Sequence, residues 1–323
     1  MSAHTDENFC TPILKQSADD CDSPALSELS ERDRVWDKHR ANSQVVAGHY
    51  KAAGMETHSE RVSLCSLLLD FKLVPEDKKE SYKLKLSSAF FCRTRYCCVC
   101  QWRRSIRWRR KAIDALPLFV KDYPKLRYIF LTLTLKNCKL EELRETINNL
   151  NYAFRKLTRR KIFPGVGWIK SVEVTRGRDN ISAHPHLHIL MAVKPSFFSH
   201  GYISRKEWRE IWGKCLKVDY KPILDVRAVK PNKSPVGLLT EIIKYQTKES
   251  DLIADPEWFG EFVKQMHGTR AVSVGGLFID YFKKLEEEPE DLIGKDENEE
   301  EENGYDHLYF SWRSKEKKYR LKR

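Results

Sequence analysis

An α+β fold is expected from three stretches of this sequence. Residues 128–135 form a β-branched and aromatic run between Pro124 and Asn137, as in a strand that buries one face. Residues 141–161 place Leu143, Ile147, Leu150, Phe154 and Leu157 at helical spacing, with lysines and arginines on the outer face. Residues 183–193 set His184, His186 and His188 at alternate positions ahead of an apolar run through Val193, which reads as a second strand.

The remaining elements follow in order. Residues 1–60 are polar and without sustained periodicity, so a mobile arm is expected there, with a short helix around 26–39. Short strands are expected in 61–91. Residues 101–117 read as a helix crowded with arginine, and 168–175 alternate as a strand that carries Glu173. A Gly-Arg-Asp-Asn turn then leads into the histidine strand. Ser204 is a good N-cap for a helix to about Leu216. A strand over 218–229, a proline-rich break at 231–235 and a helix over 236–248 come next. Beyond these stand a helix at 257–266 and a Gly275-Gly276 turn with an apolar helix behind it. The organisation predicted is an arm (1–60), a cysteine- and arginine-rich segment (61–120), a main domain (121–284) and a charged, disordered tail (285–323).

Charge narrows the partners. The chain of 323 residues has a net charge of +12, although residues 286–302 alone hold eleven acids and one lysine. With that run set aside at −10, the remainder carries +22 (12 + 10). A protein so basic is expected to meet a polyanion. No apolar run is long enough to span a bilayer, and none near the N-terminus acts as a signal. An intracellular, cytoplasmic protein is therefore expected, with no membrane partner and with its nine cysteines as thiols or metal ligands. The basic end, 311–323, could touch DNA or fold back on the acidic run.

Cys97 and Cys100 are two residues apart, the spacing of half a structural zinc site. Cys92 is the candidate third ligand and Cys65 the chosen fourth, with Cys98 pointing away. A redox role for Cys-x-x-Cys needs a strand–turn–helix setting that is not evident here. Just downstream, Trp102, Arg103, Arg104 and Arg107 are candidate DNA contacts. Arginine forks suit phosphate oxygens, and indole faces stack on unpaired bases.

The histidine strand is the centre of the reading. Pro185 donates no ladder bond, so His184 sits at the strand mouth while His186 and His188 lie inside it. Two imidazoles on one face can hold a divalent cation, Mn²⁺ or Mg²⁺, with Glu173 of the neighbouring strand as an oxygen ligand. The 236–248 helix offers Glu241, Tyr245 and Lys248 on one face. Alone, that helix reads as a half-buried tyrosine beside a surface ion pair. Beside a metal it becomes equipment for attack on a phosphodiester, with Tyr245 as nucleophile, Lys248 as its helper and Glu241 as a base for water.

Phe130-Leu131-Thr132-Leu133-Thr134, His184-Pro185-His186-Leu187-His188 and Glu241-x-x-Lys244-Tyr245-x-x-Lys248 resemble, in order, the three motifs of rolling-circle plasmid replication initiators. These are His-hydrophobe-His (HUH) endonucleases, here of the single-tyrosine branch. The Cys92-x4-Cys97-x2-Cys100 run before Trp-Arg-Arg, and the upstream Cys65, resemble that branch too. The resemblance runs from about Cys65 to Tyr281. It implies a central antiparallel sheet with helices packed on one face, of the ferredoxin-like kind, with the histidines on a middle strand. It implies site-specific nicking and rejoining of origin DNA through a 5′-phosphotyrosine that leaves a free 3′ hydroxyl. Lys244 and His184 are then expected near the DNA, and a host helicase and a second copy of the chain are candidate partners. Three other readings compete: a transposase or relaxase of the same chemistry, a histidine-triad nucleotidyl hydrolase, and a non-catalytic zinc-dependent DNA-binding regulator.

Overall fold

The computed structural model describes residues 23–75, 81–230, 247–283, 292–293 and 305–322. In chain order the elements are α1 (Leu26–Leu29), α2 (Val35–Ala52), α3 (Glu56–Leu64), β1 (Leu68–Pro75), β2 (Tyr82–Ala89), α4 (Cys98–Asp122) and β3 (Arg127–Thr134). There follow α5 (Leu143–Thr158), β4 (Gly165–Arg176), β5 (Ala183–Val193), α6 (Arg205–Leu216) and β6 (Leu224–Ala228). The rest are α7 (Glu249–Ile253), α8 (Pro256–Met266), β7 (Val272–Gly276), α9 (Ile279–Phe282), β8 (His307–Arg313) and β9 (Lys318–Leu321).

The α+β class holds, and the strands form two antiparallel sheets. The larger has the order β6-β3-β5-β4-β7, so β3-α5-β4-β5-α6-β6 is a ferredoxin-like unit with β7 added at an edge. The histidine strand β5 lies between β3 and β4, pairing Thr132 with His188 and Glu173 with His186. Alternation sends Leu187, Ile189, Met191 and Val193 to one face, where they pack with Leu143, Ile147, Leu150 and Leu157 of α5 and Trp208 and Trp212 of α6. The same alternation sends His186, His188, Leu190 and Ala192 to the other. There Ala112, Leu116 and Phe119 of α4, with Phe278 and Phe282, cover the Leu190–Ala192 half. The sheet thus carries helices on its main face and one further helix layer across part of the second.

The helix α6 begins where its sequence predicts. Ser204 accepts from the Glu207 amide at 3.3 Å, and Glu207 accepts from the Ser204 amide at 2.7 Å, a complete capping box. The strand expected over 218–229 is shorter, Leu224–Ala228, because Lys217 adopts left-handed φ to close α6. Gly275 and Gly276, read as a turn, instead end strand β7. Gly276 has φ +61 and a Cβ there would meet the Val166 carbonyl, so only glycine fits.

Two expectations about the ends of the chain are corrected. Residues 26–64 are a succession of helices joined by short turns, and α2 buries Trp36, Arg40, Ser43, Val46, Ala47 and Tyr50. Arg40 and Ser43 interrupt the apolar stripe, so its period is not evident in the sequence. Arg40 donates to the Ser63 carbonyl at 2.7 Å, and Ser43 Oγ accepts from the Val99 amide at 3.1 Å. Residues 1–22 lie outside the described residues. At the other end the basic stretch is a hairpin, β8–β9, in the second sheet, of order β2-β1-β8-β9. Phe310, Trp312 and Tyr319 are buried there, so alternation outweighs charge. The acidic run 286–302, apart from Leu292 and Ile293, lies outside the described residues.

Tyr319 ties this last strand to the cysteine-bearing segment. Its hydroxyl donates to the Ser66 carbonyl at 2.7 Å and sits 3.1 Å from Ser66 Oγ, next to Cys65. Ser66 holds φ 52, a left-handed conformation that a non-glycine residue keeps only when its surroundings impose it. Tyr319→Phe orphans that buried carbonyl. Urea unfolding should show stability lower by about 2 kcal/mol. A change below about 0.3 kcal/mol would mean that the clamp contributes nothing.

Candidate active site and cysteine cluster

Pairing of β3, β4 and β5 brings three side chains together on the face not covered by α5. Glu173 Oε2 lies 2.8 Å from His188 Nε2 and 3.3 Å from His186 Nε2. The other ring nitrogens have their own partners. His188 Nδ1 is 3.2 Å from Thr132 Oγ1, and His186 Nδ1 is 3.2 Å from the His184 carbonyl. Outer contacts of this kind fix which nitrogen faces a metal. Thr132 was not singled out from sequence, although its place in the first motif, opposite His188 in the ladder, was the available signal.

Burial raises the Glu173 carboxyl, but the hydrogen bonds from His186 and His188 and their positive charge outweigh it and hold the group well below the carboxylate range. It is therefore an anion ready to ligate. Donors on neighbouring octahedral positions, each about 2.1 Å from a small divalent cation, stand about 3 Å apart. The two Glu173–histidine separations bracket that spacing, so two imidazoles and one carboxylate are placed to share a divalent cation, with water completing the shell. His184 is not in this trio. Its ring is half-buried, 5.5 Å from His186 between centroids, with Nδ1 buried and unpaired. Burial, and then the nearby His186, lower its pKa.

The helix expected over 236–248 falls mostly outside the described residues, and Glu241, Lys244 and Tyr245 with it. Its last residue is a correction. Lys248 is exposed and extended (φ −71, ψ 145), the N-cap of α7, so it does not continue a helical face from Tyr245. The segment it opens is firmly held. Glu249 accepts from Asn42 at 2.7 Å and contacts His39 Nδ1 at 2.5 Å, both on α2. Asp251 accepts from the Arg176 amide at the end of β4 at 3.0 Å, and Arg176 pairs with Asp255 at 2.8 Å.

Cys65, Cys92, Cys97 and Cys100 converge, all buried, with their sulfurs within 4.8 Å of one another. Cys65 to Cys100 is 3.6 Å and Cys92 to Cys100 is 3.7 Å. Four sulfurs about 2.3 Å from a tetrahedral zinc stand about 3.8 Å apart, so the cluster has the right size. The Cys92 amide donates to Cys65 Sγ at 3.5 Å, and Ser43 Oγ lies 3.4 Å from Cys97 Sγ. Hydrogen bonds from Cys100, Cys65 and Cys97 push the Cys92 thiol down, while giving such bonds pushes Cys100 up. Several thiolates in one dry pocket need a cation to coexist. Cys98 is buried apart from the four, as expected, and burial raises its thiol.

The arginine helix departs from expectation. Arg104 stands four residues after Cys100, hence on the same inward face of α4, and is only 5 % exposed. Its guanidinium donates to the carbonyls of Arg93, Thr94 and Arg95. Trp102 stacks on His39 (4.6 Å, 19°) and meets Trp36 edge-on at 4.8 Å, so its indole is committed to packing. Arg103 donates to the carbonyls of Leu292 and Ile293 at 2.8 Å. Arg104 thus braces the segment between Cys92 and Cys97, while Trp102 and Arg103 are engaged by α2 and by Leu292–Ile293. Arg107 is half-buried, whereas Arg109 and Arg110 are exposed.

Among the described residues no helix is long and apolar enough to cross a membrane. A family model described as "Replication protein" matches residues 83–320. "Protein rep" of Streptococcus pneumoniae serotype 2 (strain D39 / NCTC 7466) is 36% identical over 285 residues, covering 84% of this chain and 88% of that protein. "Protein rep" of Bacillus amyloliquefaciens is 30% identical over 327 residues, covering 90% and 94%. A "Replication protein" of Staphylococcus aureus is 32% identical over 221 residues, covering 63% and 94%. No solved structure matches the chain.

Proposed function

Since the chain belongs to the replication-protein family, we propose that it initiates rolling-circle replication of a plasmid by nicking origin DNA through Tyr245. The observation that carries this reading is the Glu173/His186/His188 trio on the middle of the sheet, with its ring nitrogens oriented from behind. Glu173, His186 and His188 would hold Mn²⁺ or Mg²⁺, which when bound polarises a phosphodiester. Cys65, Cys92, Cys97 and Cys100 would hold a structural zinc.

The anchoring of α7 supports Tyr245 as the nucleophile. Asp251 is docked on Arg176, three residues beyond Glu173, or about 10 Å along the strand. Tyr245 precedes Asp251 by six residues, at most about 21 Å of chain, a length that permits approach to the trio. In the proposed step, the Tyr245 oxygen bonds to phosphorus as the bond from phosphorus to the 3′ oxygen breaks. The phenol loses its proton and the departing 3′ oxygen gains one. The phosphotyrosine keeps the energy of the broken linkage, so the 3′ hydroxyl can later attack it and reseal the strand. Glu241 would act on water to release the protein after the last cut. Origin DNA is the partner, and a host helicase would open the duplex ahead of the free 3′ end.

Purified protein mixed with single-stranded origin oligonucleotide and Mn²⁺ should acquire a covalent nucleotide adduct on Tyr245, located by mass spectrometry and absent from Tyr245→Phe. An adduct on another tyrosine would move the nucleophile. Binding of origin DNA without any cut would make the chain a non-catalytic regulator.

A further inference from the structure

On the sheet face opposite the histidines, a cleft of about 510 Å³ opens between α5 and the β4–β7 edge. Its size suits a ligand of nucleotide dimensions. At its floor is Lys170, only 8 % exposed, whose ammonium donates to Asn151 Oδ1. Among the described residues no carboxylate pairs with Lys170, and none lines the cleft, whereas Arg144, Arg155 and Arg270 do. Burial, and then the positive Arg155 and Arg270, lower the lysine to about 8. Such a charge is costly to bury without an opposite one, and among the described residues it faces only Asn151 and the Phe154 ring, 5.3 Å from its centroid.

An anion is the missing counterpart, and the layout favours several anions in a row. Arg144, which also donates to the Lys264 and His267 carbonyls at 3.0 and 2.6 Å, and Arg155 are eleven residues apart on α5, about 16 Å along its axis, too far for one phosphate but suited to a run of them. Half-buried Trp168 lines the same cleft, its indole edge-on to Phe154 at 6.1 Å and Phe163 at 5.7 Å, so the groove offers mainly charge. We propose that this cleft is a second DNA contact, a groove that holds the phosphates of an unpaired strand on the side of the sheet away from the histidines. The proposal rests on the chain handling DNA as a replication protein, and is independent of the Tyr245 chemistry.

Binding of a fluorescein-labelled oligothymidylate, followed by anisotropy in Tyr245→Phe protein without divalent metal, separates the cleft from nicking. Arg155→Ala/Arg270→Ala changes two exposed side chains, so the fold should survive, as circular dichroism will verify. This pair should raise Kd at least about tenfold and lower the salt dependence of log K by about 1.4, two contacts at about 0.7 each. Lys51→Ala/Lys83→Ala removes equal charge from exposed positions outside the cleft and should change Kd less than about twofold. Equal losses for the two pairs, or none for either, would overturn the groove. Thymidine monophosphate should displace the oligonucleotide poorly. Displacement at equal nucleotide concentration would assign the cleft to free nucleotides and overturn the strand assignment. Failure of the unaltered cleft to bind any oligonucleotide would overturn the DNA reading itself.

Discussion

His188→Ala is expected to slow origin nicking about 10³-fold or more in single-turnover assays, with little change in oligonucleotide affinity measured without metal. His188 is the ring closest to Glu173, at 2.8 Å, so its loss leaves the proposed cation with one imidazole and one carboxylate. A thousandfold corresponds to about 4 kcal/mol of transition-state stabilisation, within what a Lewis acid supplies. Thr132→Val should act more gently, by 10- to 100-fold, since Thr132 touches only the rear nitrogen of His188. Excess Mn²⁺ should restore Thr132→Val more than His188→Ala, because the first variant keeps the full donor set. If His188→Ala retained a tenth of the rate, the histidine would not be carrying the metal.

The second large effect is expected at the cysteines. Cys65→Ser should abolish stoichiometric zinc, measured by atomic emission, and lower the melting temperature by 10 °C or more. Zinc in small structural sites contributes on the order of 10 kcal/mol to folding. Even half of that shifts the melting point of a domain of this size by on the order of 10–20 °C. The loss should spread beyond the cluster, because α2, the end of α3, α4 and β9 all meet around it. Cys98→Ser, by contrast, should keep the zinc, since that sulfur lies outside the four. One zinc retained by Cys65→Ser would remove Cys65 from the site.

Much of the fold was legible because its signals are local. The 3.6-residue stripe of α5, the capping box of Ser204 and Glu207, and the strict alternation of β5 each need only their own neighbours in sequence. The three motifs also identified the family. The arm and the tail differ from expectation because their composition is polar while their buried stripes are broken or short. In α2 the buried Arg40 and Ser43 look like surface residues until Ser63 and Val99 are seen to accept and donate to them. In β8 the apolar residues Leu308, Phe310 and Trp312 alternate clearly, but the seven basic residues of 311–323 mask that alternation.

Which residues could share a face, and hence which might bind one ion, was set by spacing alone: His186 with His188 on a strand, Cys97 with Cys100 in a turn. Which faces meet depended on the assembled sheets. Register between β4 and β5 brings Glu173 to the histidines, and the packing of α4 turns Arg104 inward under the cysteines instead of outward to DNA. The cationic cleft around Lys170 likewise exists only once α5 lies across β4 and β7, since its cations come from separated segments. Local geometry follows from backbone period, but a site drawn from distant segments is decided by how buried surfaces pack.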